Sequence, residues 1–487
     1  MDLQIYKSSM KTPHYITTTL PYVNADPHIG FAYEVVVADV LARYWRRLGH
    51  EVFFNTGTDE HGQKIAEKAD AAGQSRQAYV DHYAAEFSKL KSVLNLSYDR
   101  FIRTTDDEHK MAAIALWQRC AENGDIYKKS YKGLYCVGDE MFLRGSDLVD
   151  GRCPNHPNVD PVEIEEENYF FRLSKYQSRL ETYLADPKRT MSETYRKWAL
   201  DFVAGGLDDL SISRSRARLD WGIPVPGDAE QVMYVWFDAL TSYISTLGWP
   251  SDIVGNFKKF WQDGETLQLA GKDQVRFQSV IFQAMLLSAE LPQTDVINYH
   301  GFINSGGQKM SKSLGNVISP YELTARYGTD ATRYLLLRHV HPSDDTDITW
   351  ERLDEWYTAD LVNGLGNLVA RVMKMAETHL DAPLDRPEAA SFPVEYTETL
   401  AHYNLQSTSD FIWSKIGLLD ERIAVEQPFK LVKEDAEKAK VIIRELALEV
   451  YLIARLLQPL MPDTSTIIKR AVLENKKPDN LFARLDI

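Results

Sequence analysis

Apolar and polar positions follow two regimes along this chain. Up to about residue 300, short apolar runs of strand length alternate with helical stretches; from about residue 353, apolar residues recur at three and four almost without interruption. Ile16 to Leu20 is a β-branched run that fits a buried parallel strand. Pro21, Asn24, Asp26, Pro27 and Gly30 then predict a loop, Phe31 to Leu48 a helix stopped at Gly49, and Glu51 to Asn55 a second strand. Residues 63–125 read as helical, ending near Gly124, and complete the first half of a doubly wound sheet. From 126 to 213 aromatic and β-type residues mix with turns, and the acidic run Glu163 to Glu167 reads as a solvated loop; this predicts an inserted domain. The sheet resumes over 214–301, with strands expected at Val232 to Trp236 and Thr266 to Ala270 and a long helix from Val275 to Ala289. Residues 302–352 connect to 353–487, where helices at Leu361 to His379, Val394 to Ala424 and Pro428 to Leu457 predict an antiparallel bundle.

Length and composition leave this picture intact. A chain of 487 residues, 44% hydrophobic and 26% charged, has the makeup of a soluble globular protein of about three domains. There is no apolar run of membrane-spanning length, and the first fifteen residues lack the hydrophobic core of a secretory signal. Three cysteines cannot build a disulfide framework, so a reducing compartment, the cytoplasm, is expected. The net charge of −15 argues against a nucleic-acid partner, but phosphate contacts need only local patches. Arg43, Arg46 and Arg47 form one candidate patch; Lys430, Lys433, Lys438, Lys440 and Arg444 form another.

The chemistry concentrates in two stretches. His28-Ile29-Gly30 opens the first predicted helix, where unpaired N–H groups and the helix dipole favour phosphate. Alone, the tripeptide reads as a loop histidine beside a turn glycine. Far downstream, Lys309-Met310-Ser311-Lys312-Ser313 lies between Gly306-Gly307 and Gly315, a glycine-flanked loop dense in phosphate-binding donors. In this order the two stretches resemble the HIGH and KMSKS signatures of class I aminoacyl-tRNA synthetases. Leu20-Pro21-Tyr22-Val23-Asn24, Gly57-Thr58-Asp59-Glu60-His61-Gly62 and Tyr234-Val235-Trp236-Phe237-Asp238-Ala239-Leu240 resemble the methionyl-tRNA synthetase family specifically.

That resemblance implies an α/β fold: a Rossmann-type class I catalytic domain split by a connective-peptide insertion, then an all-α anticodon-binding bundle. It implies ATP-dependent activation of L-methionine, with Mg2+, and transfer to tRNA(Met). His28, Lys309 and Lys312 would be catalytic. His28, Gly30, Phe31, Gly271, Asp273, Lys309, Met310, Ser311, Lys312 and Ser313 would contact ATP, with Asp273 at the ribose. Leu20, Tyr22, Asp59, Trp236, Ala239, Tyr243, Gln274 and Gln278 would form the methionine site, with Asp59 on the ammonium group. Asn367, Arg371 and Phe429 would meet the anticodon. Spacing alone also allows Trp236, Ala239 and Tyr243 to be a buried helical stripe, Asp273 an N-cap, and Asn367 with Arg371 a solvated helix face.

Four positions depart from the family pattern. Phe31 replaces the second histidine of HIGH, Gln278 a pocket histidine, Gln274 an aliphatic residue and Phe429 a tryptophan. Cys136, Asp139, Cys153 and His156 resemble a zinc knuckle in which one cysteine has become an aspartate; the incomplete thiolate set favours packing without metal, zinc being the alternative. No dimerisation module follows Leu485, so a monomer is expected. Two further readings stay open: a synthetase-like enzyme with altered amino acid choice, suggested by Gln274 and Gln278, and a non-catalytic tRNA-binding paralogue.

Overall fold

The computed structural model describes residues 11–137, 141–143, 145, 148–154, 157–190, 192–310, 315–387 and 391–485. It divides into two compact units, one of residues 1–27, 45–89 and 97–299, the other of 28–44, 90–96 and 300–487.

The first unit is built on a five-stranded sheet. Its strands are β1 (His14–Thr18), β2 (Val52–Thr58), β3 (Arg100–Arg103), β4 (Glu265–Gly271) and β5 (Val296–His300), in the order β5-β4-β1-β2-β3. β1 is buried at all five positions and pairs in parallel with β4 on one side and β2 on the other. Burial on both faces is why its sequence is a continuous run rather than an alternation. Buried hydroxyls are satisfied inside the sheet: Thr18 Oγ1 lies 2.7 Å from Thr56 Oγ1, and Asn55 bridges Thr17 (3.3 Å) and Thr246 (2.8 Å). The strand order reverses beside β1, and in open α/β sheets such a switch point is where ligands bind, beyond the carboxyl ends of the strands. The residues leaving β1, β2 and β4 there are Leu20 and Tyr22, Asp59, and Asp273 and Gln274 respectively.

Several expectations need correcting. The span 63–125 is not purely helical: helices Gln63–Ala71, Arg76–Val93 and Asp107–Glu122 enclose β3, a four-residue edge strand whose outer arginines mask its β pattern. Glu163 to Glu167 is not a loop. It lies in the strand Val162–Phe171, antiparallel to Ile126–Cys136 in a separate four-stranded sheet, where Glu163 pairs with Lys132 and Glu167 with Lys128 at 3.3 Å. The acidic side chains are thus one half of a cross-strand charge ladder. The helix expected from Val275 to Ala289 is present, but its first half is a π-helical segment (Arg276–Phe282) that leads into an α-helix (Gln283–Ser288), after a short 3₁₀ turn (Lys272–Gln274).

Gly57 ties β2 to β3. A Cβ there would lie 1.9 Å from the Ile102 carbonyl oxygen, its registered partner residue. Gly57→Ala is therefore expected to cost about 1–3 kcal/mol, as overpacking does, lowering the urea midpoint; an unchanged midpoint would show that β3 shifts freely.

The second unit is mostly helical. It holds residues 28–44 of helix α1 (Ile29–Arg47), then the downstream helices from Pro320–Tyr327 to Pro462–Leu473. Ser319, Pro320 and Glu322 start the first of these with a complete capping box. The bundle helices are shorter than periodicity predicts. A break between Val394–Ala401 and Leu405–Glu426 passes through Tyr403 (φ 54°), and Asn404 caps the next helix by accepting from Ser407 N–H at 2.9 Å. Asp435 likewise caps Ala436–Leu457, so Pro428–Leu431 stands apart from it. The stretch expected from Leu361 begins as a π-helix, Tyr357–Gly366, before the α-helix Asn367–His379. Among the described residues no helix is long and apolar enough to cross a membrane.

Candidate active site

The residues expected to form the methionine site all lie in the first unit, on the segments that follow β1, β2 and β4 and on two short helices. Tyr22 and Asp59 form an isolated parallel bridge that extends the β1–β2 pairing past the strand ends; Asp59 N–H donates to Pro21 O (3.0 Å) and Val23 N–H to Asp59 O (3.2 Å). Trp236 and Ala239 lie on the short helix α2 (Val235–Leu240), and Tyr243 on α3 (Ser242–Ser245). Trp236 stacks on Phe277 of the π-helical segment at 3.7 Å between ring centres, 14° from parallel. Gln278 Nε2 donates to the Tyr243 hydroxyl at 2.8 Å, and Tyr243 O accepts from Tyr15 of β1. Leu20 and Tyr243 belong to the buried core, with Tyr22 and Trp236 packed against it. Asp59 itself is buried, 2% exposed, beside Tyr22.

Gln278 is fully buried and Gln274 nearly so, yet the Oε1 atom of each lacks a hydrogen-bond partner among the described residues. Gln274 Nε2 donates to Asp273 Oδ2 at 2.9 Å. Turning the Gln278 amide over would exchange the orphaned oxygen for an orphaned nitrogen, while the Asp273 carboxylate fixes Gln274 with its nitrogen toward that acceptor, so both amides retain unspent polar capacity. Gly271, at the end of β4, is buried and Asp273 exposed.

The loop around Asp59 is gripped on both sides by residues that the sequence did not single out. Glu60 is fully buried and takes Arg103 in a two-pronged pair (2.6 and 2.9 Å), Thr58 Oγ1 (2.7 Å) and the Thr105 hydroxyl; Trp221 Nε1 donates to its carbonyl at 2.6 Å. His61 Nδ1 lies 2.7 Å from Asp238 Oδ2, and His109 Nε2 lies 2.6 Å from Asp238 Oδ1. Burial pushes the Asp238 carboxyl up, but the two imidazoles outweigh it and hold it down to about 2. His61 and Asp238 stand inside the family-like words and were open to notice; His109 sits in an ordinary helix, with no local pattern to mark it.

In the second unit, His28-Ile29-Gly30 opens α1 as expected. Gly30 N–H donates to His28 Nδ1 at 3.0 Å, which makes that nitrogen the acceptor and Nε2 the ring's donor. The imidazole lies against Gly30 so closely that a Cβ would stand 2.8 Å from His28 Cε1. Phe31 is buried, 8% exposed. Ile29 N–H donates to Ile318 O at 3.2 Å, which brings the helix start to the chain just beyond the second signature. Lys309 is exposed, on a hairpin between Ile303–Ser305 and Gln308–Lys309 whose turn is Gly306-Gly307, both at positive φ as a two-residue hairpin turn requires. Met310 is described; Ser311, Lys312 and Ser313 lie outside the described residues.

Cys136 and Cys153 are buried in the first unit, while Asp139 and His156 lie outside the described residues. Among the described residues no group of three or more His, Cys, Asp or Glu is placed to hold a metal. Asn367 and Phe429 are exposed, whereas Arg371 pairs with Asp420 at 3.0 Å. In the first basic patch Arg43 is bound to Asp39 and Asn95, and Arg46 to Asp99 and Ser97. In the second, Lys440 pairs with Asp381 and Glu437.

A family model described as tRNA synthetases class I (M) matches residues 14–160 and 157–373. The chain belongs to the methionyl-tRNA synthetase family. Among its relatives are proteins named methionine–tRNA ligase from Thermosynechococcus vestitus, 41% identical over 94% of this chain and 89% of theirs, and from Thermotoga maritima, 40% identical over 95% and 76%. Mycobacterium tuberculosis methionyl-tRNA synthetase in complex with methionyl-adenylate is similar in structure, with a TM-score of 0.86 at 38% identity, covering 94% of this chain and 93% of that one. The free-state structure of that enzyme gives a TM-score of 0.81 at 32% identity, covering 98% and 99%. The Rossmann-type catalytic fold and helical C-terminal region expected from sequence are those of the family.

Proposed function

We propose that this chain activates L-methionine with ATP and Mg2+, giving methionyl-adenylate and pyrophosphate, and transfers the acyl group to tRNA(Met) in the cytoplasm as a monomer. The observation that carries the reading is Asp59: a buried carboxylate beside Tyr22, on a loop clamped at the next two residues, Glu60 and His61. A free amino acid offers an ammonium group to such a carboxylate, and a thioether gains from contact with the rings of Tyr22, Trp236 and Tyr243. The methionine carboxylate attacks the α-phosphorus and the bond to the bridging oxygen of pyrophosphate breaks. His28, Lys309 and Lys312 hold the phosphates and Asp273 the ribose, so the protein mainly positions groups and neutralises charge. Asn367, Arg371 and Phe429 face the anticodon; Phe429, 47% exposed, offers a surface for base stacking.

The test is amino-acid-dependent exchange of pyrophosphate into ATP, with methionine, homocysteine and leucine compared. Exchange led by methionine is expected, with homocysteine next, because one methylene in an apolar pocket is worth only about 1–3 kcal/mol. Exchange with another amino acid alone would move the reading to altered choice, which the unspent amide groups of Gln274 and Gln278 favour. Silence with all of them would leave a tRNA-binding protein.

A further inference from the structure

Three elements of the first unit meet at one buried carboxylate. Asp238 lies on α2 between Trp236 and Ala239 and is fully buried. One oxygen is taken by His61 from the loop that carries Asp59, the other by His109 from the helix Asp107–Glu122. His109 Nδ1 in turn lies 3.0 Å from Ser245 Oγ on α3, and that hydroxyl sits near Ser242 O at 3.4 Å. Ser245, His109 and Asp238 stand in the order of a hydrolytic triad, but Ser245 is 2% exposed within the core, so no substrate reaches its hydroxyl. The cluster therefore does structural work, and its position decides which work. Asp59 is two residues from His61, and Trp236 and Ala239 flank Asp238 on one helical turn. The His61–Asp238 contact thus ties the Asp59 loop to the helix that carries Trp236 and Ala239.

We propose that Asp238 is a positioning residue for amino acid activation, acting through His61 to hold the Asp59 loop in register with the Trp236–Ala239 wall, with His109 as the brace behind it. Glu60 anchors the same loop to Arg103 and Thr105, so the loop stays attached when Asp238 is changed, but loses the contact that faces the pocket helix. The inference rests on the reading of Asp59 as ammonium acceptor. Its signature is selective: the placement of the amino acid suffers, while nucleotide binding through His28 and Lys309 does not.

The experiment is pyrophosphate exchange with the full chain, titrating methionine and ATP separately. Asp238→Asn keeps the shape of the side chain but offers an amide N–H where one imidazole met an oxygen. The methionine KM is expected to rise about ten- to a hundredfold, the scale of a small misplacement, with the ATP KM within about twofold. His109→Ala is expected to give the same split, and His109→Gln, which restores a donor to Asp238, to recover most of the loss. This pair keeps the question answerable if Asp238→Asn does not fold. A lowered thermal midpoint with both KM values unchanged would assign the cluster to packing alone and overturn the proposal. Equal rises in both KM values would do so too. An unsubstituted chain that shows no methionine-dependent exchange would instead defeat the underlying functional reading.

Discussion

Asp59→Asn lowers kcat/KM for methionine in pyrophosphate exchange from about thirtyfold to several thousandfold, with little change in the ATP KM. The substitution is nearly isosteric, so the Tyr22–Asp59 bridge and the flanking backbone bonds survive, as do the anchors on Glu60 and His61. What is lost is the negative charge. Truncating one partner of a buried charge pair costs about 2–5 kcal/mol, largely because the other charge is left desolvated; tenfold per 1.4 kcal/mol converts this to the range stated. Here the stranded charge would be the substrate ammonium, so the loss falls on methionine binding. Equal methionine KM values for the two proteins would remove Asp59 from the site.

Arg333→Met destabilises the second unit by about 3–5 kcal/mol, the usual cost of breaking a buried ion pair from one side. Arg333 is fully buried, on the helix Thr329–His339, and pairs with Asp39 of α1 at 2.8 Å, both side chains wholly excluded from solvent. The same guanidinium donates to three backbone carbonyls: Leu460 (2.8 Å), Pro459 (2.9 Å) and Leu94 (3.0 Å). Methionine fills the space and meets none of these needs. Asp39 keeps Arg43 at 2.6 Å, which prevents a fully uncompensated charge and sets the loss nearer the lower limit. Urea unfolding followed by tryptophan fluorescence should show the transition of this unit at lower denaturant. A midpoint equal to that of the unsubstituted chain would mean that water replaces the lost donors.

The sequence was informative where local physics and tertiary packing agree. β1, α1 and β4 lie within two residues of the positions that apolar runs and turn residues predict, because a buried parallel strand must be continuously apolar or β-branched and a helix needs a stop such as Gly49. It failed where packing overrides local pattern. β3 alternates arginine with apolar residues over only four positions between long helices, too short a run to stand out. Asn404 and Asp435 divide helices whose periodicity continues across the break; each is a capping residue that reads as an ordinary polar position until the backbone N–H it accepts from is seen in place. The acidic run of Glu163 to Glu167 misleads because charge suggests solvent, while the lysines opposite are about thirty-five residues earlier. The candidate site residues stand largely inside family-like words. The supports, His109 and Arg103 above all, do not, since a group that acts by holding another group carries no signature of its own.

The π-helical segment Arg276–Phe282 carries Phe277 and Gln278, the wall opposite Trp236 and Tyr243. Such a segment amounts to an α-helix with one surplus residue accommodated in its turns. Removing that residue would let ordinary helical hydrogen bonds close and would strengthen the backbone locally. It would also rotate everything on one side of the cut by about 100° relative to the other, the angle per residue of an α-helix. Phe277 would leave the indole of Trp236, and Gln278 the hydroxyl of Tyr243. The wall of the proposed amino acid site is therefore set by register rather than by side-chain identity alone, and a chain one residue shorter here would hold the better helix and lose the Trp236–Phe277 and Tyr243–Gln278 contacts.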